Sequence, residues 1–130
     1  MNPENNTNLQ RINYPELGLP VGPYTHAVIH QNVLYTSGMT AFGSDAQNAS
    51  IHEQTKEIFT QLKLICDQQS THLNKLIKVT LFVSDMTEIN KLRQTLFDVY
   101  GEHIPASSLI QVDKLFSDDL KIEVEAIIAL

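Results

Sequence analysis

Cysteine is nearly absent from this chain. Cys66 stands alone, so an internal disulfide is excluded, which agrees with a reducing compartment. Positive charge is scarce as well. Nine Lys and Arg face fifteen Asp and Glu, a formal charge of -6, and a chain without a basic excess has no diffuse field to draw in a polyanion. Nucleic acid is therefore set aside as a partner. Long apolar runs are missing: Ile127-Ile128-Ala129-Leu130 is far too short to span a bilayer. The polar start MNPENNTN lacks the basic and apolar regions of a secretory signal, and the reading is a cytoplasmic protein with no membrane partner. Internal repeats and low-complexity segments are absent too.

What is present suffices for one domain. The 130 residues are 42% hydrophobic and 18% charged, enough for a core of reasonable size. Residues 1–8, rich in Asn and without apolar periodicity, read as a mobile tail ahead of a single domain over residues 9–130. THAVIHQNVLYTSGM predicts a hairpin in which Ala27 and Ile29, then Val33 and Tyr35, alternate around a turn at His30-Gln31-Asn32. Ser50-Ile51-His52-Glu53 has the spacing of a capping box and starts a helix. Its buried stripe is Ile51, Ile58, Phe59, Leu62, Ile65 and Cys66, which makes Cys66 a core residue rather than a reactive thiol.

KLIKVTLFVS predicts a central strand with Ile77, Val79, Leu81 and Val83 on one side and Leu76, Lys78, Thr80 and Phe82 on the other. Asp85 is placed to cap a second helix with the stripe Ile89, Leu92, Leu96, Val99 and Tyr100, closed by Gly101. SLIQV and LKIEVEAIIAL read as the last two strands. In the latter, Leu120, Ile122, Val124, Ala126 and Ile128 face one way, and Lys121, Glu123, Glu125 and Ile127 the other. Two helices on one face of a single sheet make an α+β fold. The opposite face is too apolar for free exposure and too charged for a simple core, which suggests association through it.

Few residues stand in patterns that carry chemistry. Of the histidines His26, His30, His52, His72 and His103, none forms an H-x-x-x-H pair on a helix, and His26 and His30 on a strand and its turn would lie about 13 Å apart. No metal site is expected. Ser107 and Ser108, after Pro105, offer two hydroxyls but lack a G-x-S-x-G elbow, so they read as turn-completing residues or as nucleophiles, with the former favoured. ELGLPVGPY fits neither glycine-rich phosphate motif. Glu123 and Glu125, two apart on a strand, share one face; burial would raise a carboxyl pKa and suit it to acid–base work, while exposure would make the pair ordinary solvated charge.

Five segments in order, GPYTHAV at 22–28, LYTSGM at 34–39, KVTLFVSDM at 78–86, IPASS at 104–108 and KIEVEAI at 121–127, resemble the Rid family, also called the YjgF or reactive intermediate deaminase family. The resemblance runs from about Leu17 to the C-terminus. It implies a chorismate-mutase-like α+β subunit, with one mixed sheet and two helices on one face, assembled as a homotrimer with small-ligand clefts between subunits. Members with the full motif hydrolyse enamines and imines to ammonia and a keto acid without metal or organic cofactor. Others are described as ribonucleases or metabolite binders.

By position, the resemblance puts the cleft tyrosine on Tyr24, the ligand-facing serine and glycine on Ser37 and Gly38, and the water-orienting glutamate on Glu123. The arginine that grips a substrate carboxylate falls on Ser107, and a cysteine two residues later on Leu109. A guanidinium gives two charge-assisted bonds of about 1.5–3 kcal/mol each, a serine one neutral bond of about 0.5–1.5 kcal/mol. Capture of carboxylate-bearing imines is therefore expected to be weak. Arg93, and less so Lys114 and Lys121, are the cations that would compensate if they reached the cleft; Arg93 reads more simply as a solvent-facing helix residue. The chain is accordingly expected to be a deaminase with an altered substrate range. The alternatives are a non-catalytic metabolite-binding or partner-interaction trimer and, third, a ribonuclease.

Overall fold

The computed structural model describes residues 8–130. All but the last residue of the expected tail lies outside them. Six strands form one mixed sheet: β1 (Gln10–Ile12), β2 (Ala27–His30), β3 (Val33–Thr36), β4 (Leu76–Val83), β5 (Ala106–Gln111) and β6 (Ile122–Ala129), in the order β1-β2-β3-β6-β4-β5. Helices α1 (Ile51–Gln68) and α2 (Ile89–Tyr100) supply the second layer. The β4–β5 pair is parallel and every other pair antiparallel. The expected α+β architecture is thus observed. Among the described residues no helix is long and apolar enough to cross a membrane.

The core lies between sheet and helices. Ile51, Ile58, Phe59, Leu62, Ile65 and Cys66 on α1 are all buried, as are Ile122, Val124, Ala126 and Ile128 on β6. Ser50 caps α1 by accepting from the Glu53 backbone N–H at 3.2 Å. Burial pushes the Cys66 thiol up to about 11, which leaves it protonated and unreactive at neutral pH.

Four local details differ from the sequence reading. Gln31 and Asn32 both adopt positive φ, 53° and 64°, giving the two-residue turn whose twist suits a hairpin. That turn pairs Ile29 with Leu34, so Leu34 enters the core, while Val33 and Tyr35 turn to the other face. In β4 a register shift between Leu76 and Lys78 extrudes Ile77, which is 44% exposed, and Leu76 fills the core position instead. Asp85 does not cap α2: its Oδ1 accepts from the Thr87 N–H at 2.9 Å in a local turn, and the helix starts at Ile89 after Glu88. Finally β1, three residues long, was too short to show periodicity.

A buried amide fixes the start of β6. Gln54 lies on the apolar stripe of α1 yet is fully buried. Its Nε2 donates to the carbonyls of Gln47, Ala49 and Asp119, and its Oε1 accepts from the Lys121 N–H at 2.8 Å. Both of its polar atoms are satisfied, so the group stabilises rather than strains the core. Glu123 follows two residues beyond this anchor.

The sheet face away from the helices carries Tyr35 and Ile110, each 44% exposed, with partly buried Val28, Phe82 and Ile127. Glu123, Glu125 and Lys78 lie among them. Tyr35 pairs with Ile127, Glu125 with Thr80 and Glu123 with Phe82. The alternation expected of β6 is therefore observed, and an apolar surface with embedded charges is left open.

Candidate functional site

Glu123 owes its setting to a short stretch just past β3. Met39 and Val124 exchange two backbone hydrogen bonds, 2.8 and 3.0 Å, which lay the segment from Ser37 to Met39 alongside β6. Gly38 then faces the Glu123 side chain. A Cβ at Gly38 would collide with Glu123 Oε2 and stand 2.7 Å from its Cδ, so only glycine lets the carboxyl occupy this place.

The carboxyl is half-buried, and among the described residues no hydrogen-bond donor is recorded to it. Burial first, and the charge of Glu125 second, push its pKa above the ordinary carboxylate range. A carboxyl that is desolvated, unpaired and still open to solvent is able to take and return a proton.

Beyond Gly38 lies a pocket of about 100 Å³, lined on its apolar side by Leu19, Val21, Met39, Phe42 and Phe116 and on its polar side by Tyr24, His26, Ser37, Thr40 and Gln61. Phe42 and Phe116 pack edge to face at 5.0 Å and close one wall. Ser37 is held firmly: its backbone N–H donates to the His26 carbonyl at 3.0 Å and its hydroxyl to the Thr25 carbonyl at 2.6 Å. With that proton committed, its oxygen is left as an acceptor. Tyr24 sits at the rim, 42% exposed. Neither Lys nor Arg lines the pocket.

Three of the expected site residues, Tyr24, Ser37 and Gly38, thus line one pocket; Glu123 meets Gly38 from the open side of the sheet and is not part of that lining. Ser107 and Leu109 do not join them within one chain. On β5 they pair with Val79 and Leu81, both core residues, so they point to the helix side, whereas Glu123 points to the open side. Ser108 takes the open side instead, accepting from Lys78 Nζ at 3.1 Å. Arg93 is exposed on α2, and so is Lys114. Lys121 donates to the Ala49 carbonyl at 2.7 Å.

Sequence reasoning missed His26 and Gln61 as pocket residues. Gln61, partly buried, reaches the pocket where α1 packs against the segment after β3, its Nε2 donating to the Thr40 carbonyl at 3.1 Å, a contact with no sequence spacing to announce it. His26 reads from sequence as one of five solvent-facing or structural histidines, favoured over metal ligands. Among the described residues no three His, Cys, Asp or Glu side chains gather as a metal site would require.

Known proteins share both sequence and fold with this chain. The family model described as Endoribonuclease L-PSP matches residues 16–130. A RutC family protein of Pyrococcus horikoshii is 32% identical over 111 residues, 83% of this chain and 87% of its own. The 2-iminobutanoate/2-iminopropanoate deaminase of Dermatophagoides farinae is 23% identical over 122 residues, 92% of this chain and 94% of its own. Among solved structures, a Yersinia pestis protein of unknown function from the conserved Rid protein family matches with a TM-score of 0.85 at 23% identity, over 95% of this chain and 100% of that one. That last likeness concerns the fold. With the family model reaching from residue 16 to the C-terminus, the chain belongs to the Endoribonuclease L-PSP family, the Rid or RutC family whose five segments it carries.

Proposed function

We propose that this protein hydrolyses C=N bonds of small imines, acting as an assembly of several copies, with Glu123 as the catalytic group. The observation that carries the reading is the Glu123 carboxyl itself, partly desolvated, without a hydrogen-bond donor among the described residues, and set against Gly38, where only the lack of a Cβ gives it room. A named relative that is a 2-iminobutanoate/2-iminopropanoate deaminase supports it.

The chemistry balances with water alone. Glu123 takes a proton from a water whose oxygen bonds to the C=N carbon and passes it to the nitrogen as the π bond becomes a lone pair. Glu123 then takes the hydroxyl proton of the resulting carbinolamine and delivers it to the amino nitrogen, so that the C–N bond breaks as C=O forms and ammonia leaves. The products are a carbonyl compound and ammonia, with no electron acceptor, metal or organic cofactor required.

Assembly is supported by the placement of Ser107 and Leu109 on the helix side of edge strand β5. They meet a Glu123 pocket only if a second copy presents it, and the open apolar face offers a surface for such copies, consistent with the homotrimer that the family resemblance implies. Charge then sets the substrate range: the position of the expected arginine holds Ser107, and the pocket lining has no cation. Carboxylate-bearing imines are poorly held, and uncharged ones are preferred. If Glu123 contributes nothing, the protein is a metabolite-binding or partner-interaction trimer, the second reading that the missing arginine favours. The ribonuclease reading ranks last, since a pocket without Lys or Arg does not grip phosphates. The buried, protonated Cys66 agrees with a cytoplasmic setting.

The pH profile of kcat for ammonia release tests the proposal. Glu123 must be ionised to accept the water proton, so the acid limb is expected above the ordinary glutamate range, by the direction in which burial and Glu125 move it. An acid limb at or below that range would contradict Glu123 as the base.

A further inference from the structure

The polar wall of the pocket has a fixed donor. His26 is 8% exposed, and its Nδ1 accepts from the Tyr14 backbone N–H at 2.9 Å. An imidazole nitrogen that accepts carries no proton, so the proton of the neutral ring sits on Nε2. Burial lowers the pKa of the ring, which favours this neutral form. Its orientation is locked as well, because the Tyr14 ring stacks on it at 6.1 Å and 15°, and its backbone N–H donates to Asn13 Oδ1 at 3.0 Å. Nε2 has no hydrogen-bond partner among the described residues, and it is not among the sealed, partnerless atoms, of which Tyr100 Oη is the one found. Since His26 lines the pocket, its Nε2–H is a donor available there.

Acceptors face it. Ser37 Oγ has given its hydrogen to the Thr25 carbonyl. Gln61 has used its amide hydrogens on the Thr40 carbonyl and Glu57 Oε2, at 3.1 and 2.8 Å, which leaves Gln61 Oε1 to accept. The Tyr24 and Thr40 hydroxyls already accept, from the Val21 and Phe42 backbone N–H at 3.4 and 3.1 Å, so their hydrogens are left to donate. A ligand with both an acceptor atom and an N–H satisfies this wall. A carboxylate has no hydrogen for the acceptors and meets no Lys or Arg in the lining.

Size limits the rest of the ligand. The pocket is small, about 100 Å³, and open to solvent, with the exposed side chains of Leu19, Val21, Phe42 and Phe116 at its apolar rim, which suits a short aliphatic group. Resting on the imine-hydrolysis reading of Glu123, which adjoins this pocket across Gly38, we infer that the pocket selects neutral imines and amides bearing a short aliphatic substituent, with His26 as the donor that orients them.

Isobutyramide and isobutyrate, equal in size and different in charge, test this by calorimetric titration of the full-length protein at neutral pH. Isobutyramide is expected to bind the wild type more tightly. His26→Asn keeps an acceptor for the Tyr14 N–H but does not reach into the pocket, and it should weaken isobutyramide binding by about 3- to 10-fold, the effect of one neutral hydrogen bond. His26→Gln restores an N–H near Nε2 while losing the Tyr14 bond, so it should bind nearly as the wild type does yet melt at a lower temperature. A purely structural His26 would make binding follow stability, with His26→Gln the weaker binder. That result, or wild-type protein that binds isobutyrate as well as isobutyramide or binds neither, overturns the inference. Binding is scored without turnover, so absence of ammonia release would refute the catalytic reading and leave this one standing.

Discussion

Glu123→Gln is expected to lower kcat for neutral-imine hydrolysis by about 100- to 10,000-fold while KM stays within a few fold. The amide matches the carboxyl in shape, so it still fits against Gly38 and leaves the pocket open. It has no basicity with which to take a proton from water. Stability should move the other way. The folded-state pKa of Glu123 is raised by burial and by Glu125, so the folded protein favours the protonated acid and ionisation costs it stability. This cost is absent below the unfolded-state pKa and grows as pH rises through the raised value. The variant carries no such cost and should be at least as stable as the wild type at pH 7, with the gap closing in acid. Steady-state ammonia release and thermal melts check both halves. A variant that loses activity through loss of stability would show a structural role for Glu123.

Ser107→Arg should raise kcat/KM for 2-iminopropanoate by about 10- to 100-fold and leave neutral imines nearly unchanged. The expected gain is that of replacing one neutral bond by a bidentate, charge-assisted pair, less the entropy of holding a long side chain. Ser107 is exposed on the edge strand β5, so the larger residue needs no space in the core. Its effect depends on a second copy bringing position 107 to the Glu123 pocket. The comparison therefore also reads assembly: an unchanged kcat/KM would mean that position 107 does not reach the cleft.

Much of this architecture was legible because the long elements repeat their signal. Residues Ile51 to Cys66 mark one face of α1 over several turns, and Ile122 to Ile128 alternate strictly because β6 lies between two strands and covers the core with one face only. The Rid-like segments led to the same fold, and they named Tyr24, Ser37 and Gly38, which line one pocket, and Glu123, which meets Gly38. What was not legible depends on contacts distant in sequence or on a single-residue irregularity. The bulge that extrudes Ile77 is one extra residue in an apolar run. Leu34 replaces Val33 and Tyr35 in the core because the hairpin turn holds two residues, not three.

The chemistry was legible by residue type and obscure in its directions. Sequence alone gives Glu123 as one of two glutamates on a strand; the Met39–Val124 bridge sets it apart from Glu125 by bringing Gly38 to it. His26 looked like one histidine among five. What distinguishes it is which ring nitrogen meets the Tyr14 backbone, a detail of packing. Ser107 was read as the place of a missing cation, and only the pairing of β5 with β4 shows that it faces away from the Glu123 of its own chain.

The account rests on a site that hydrolyses uncharged C=N groups in preference to anionic ones. The direct measurement is ammonia release by the wild-type protein from 2-iminopropanoate and from 2-iminopropanamide, compared side by side at equal concentration. The amide is expected to turn over with the higher kcat/KM, by about tenfold or more, the difference one charge-assisted contact makes. Faster turnover of 2-iminopropanoate would contradict the account, since it would show that the carboxylate is gripped without the arginine.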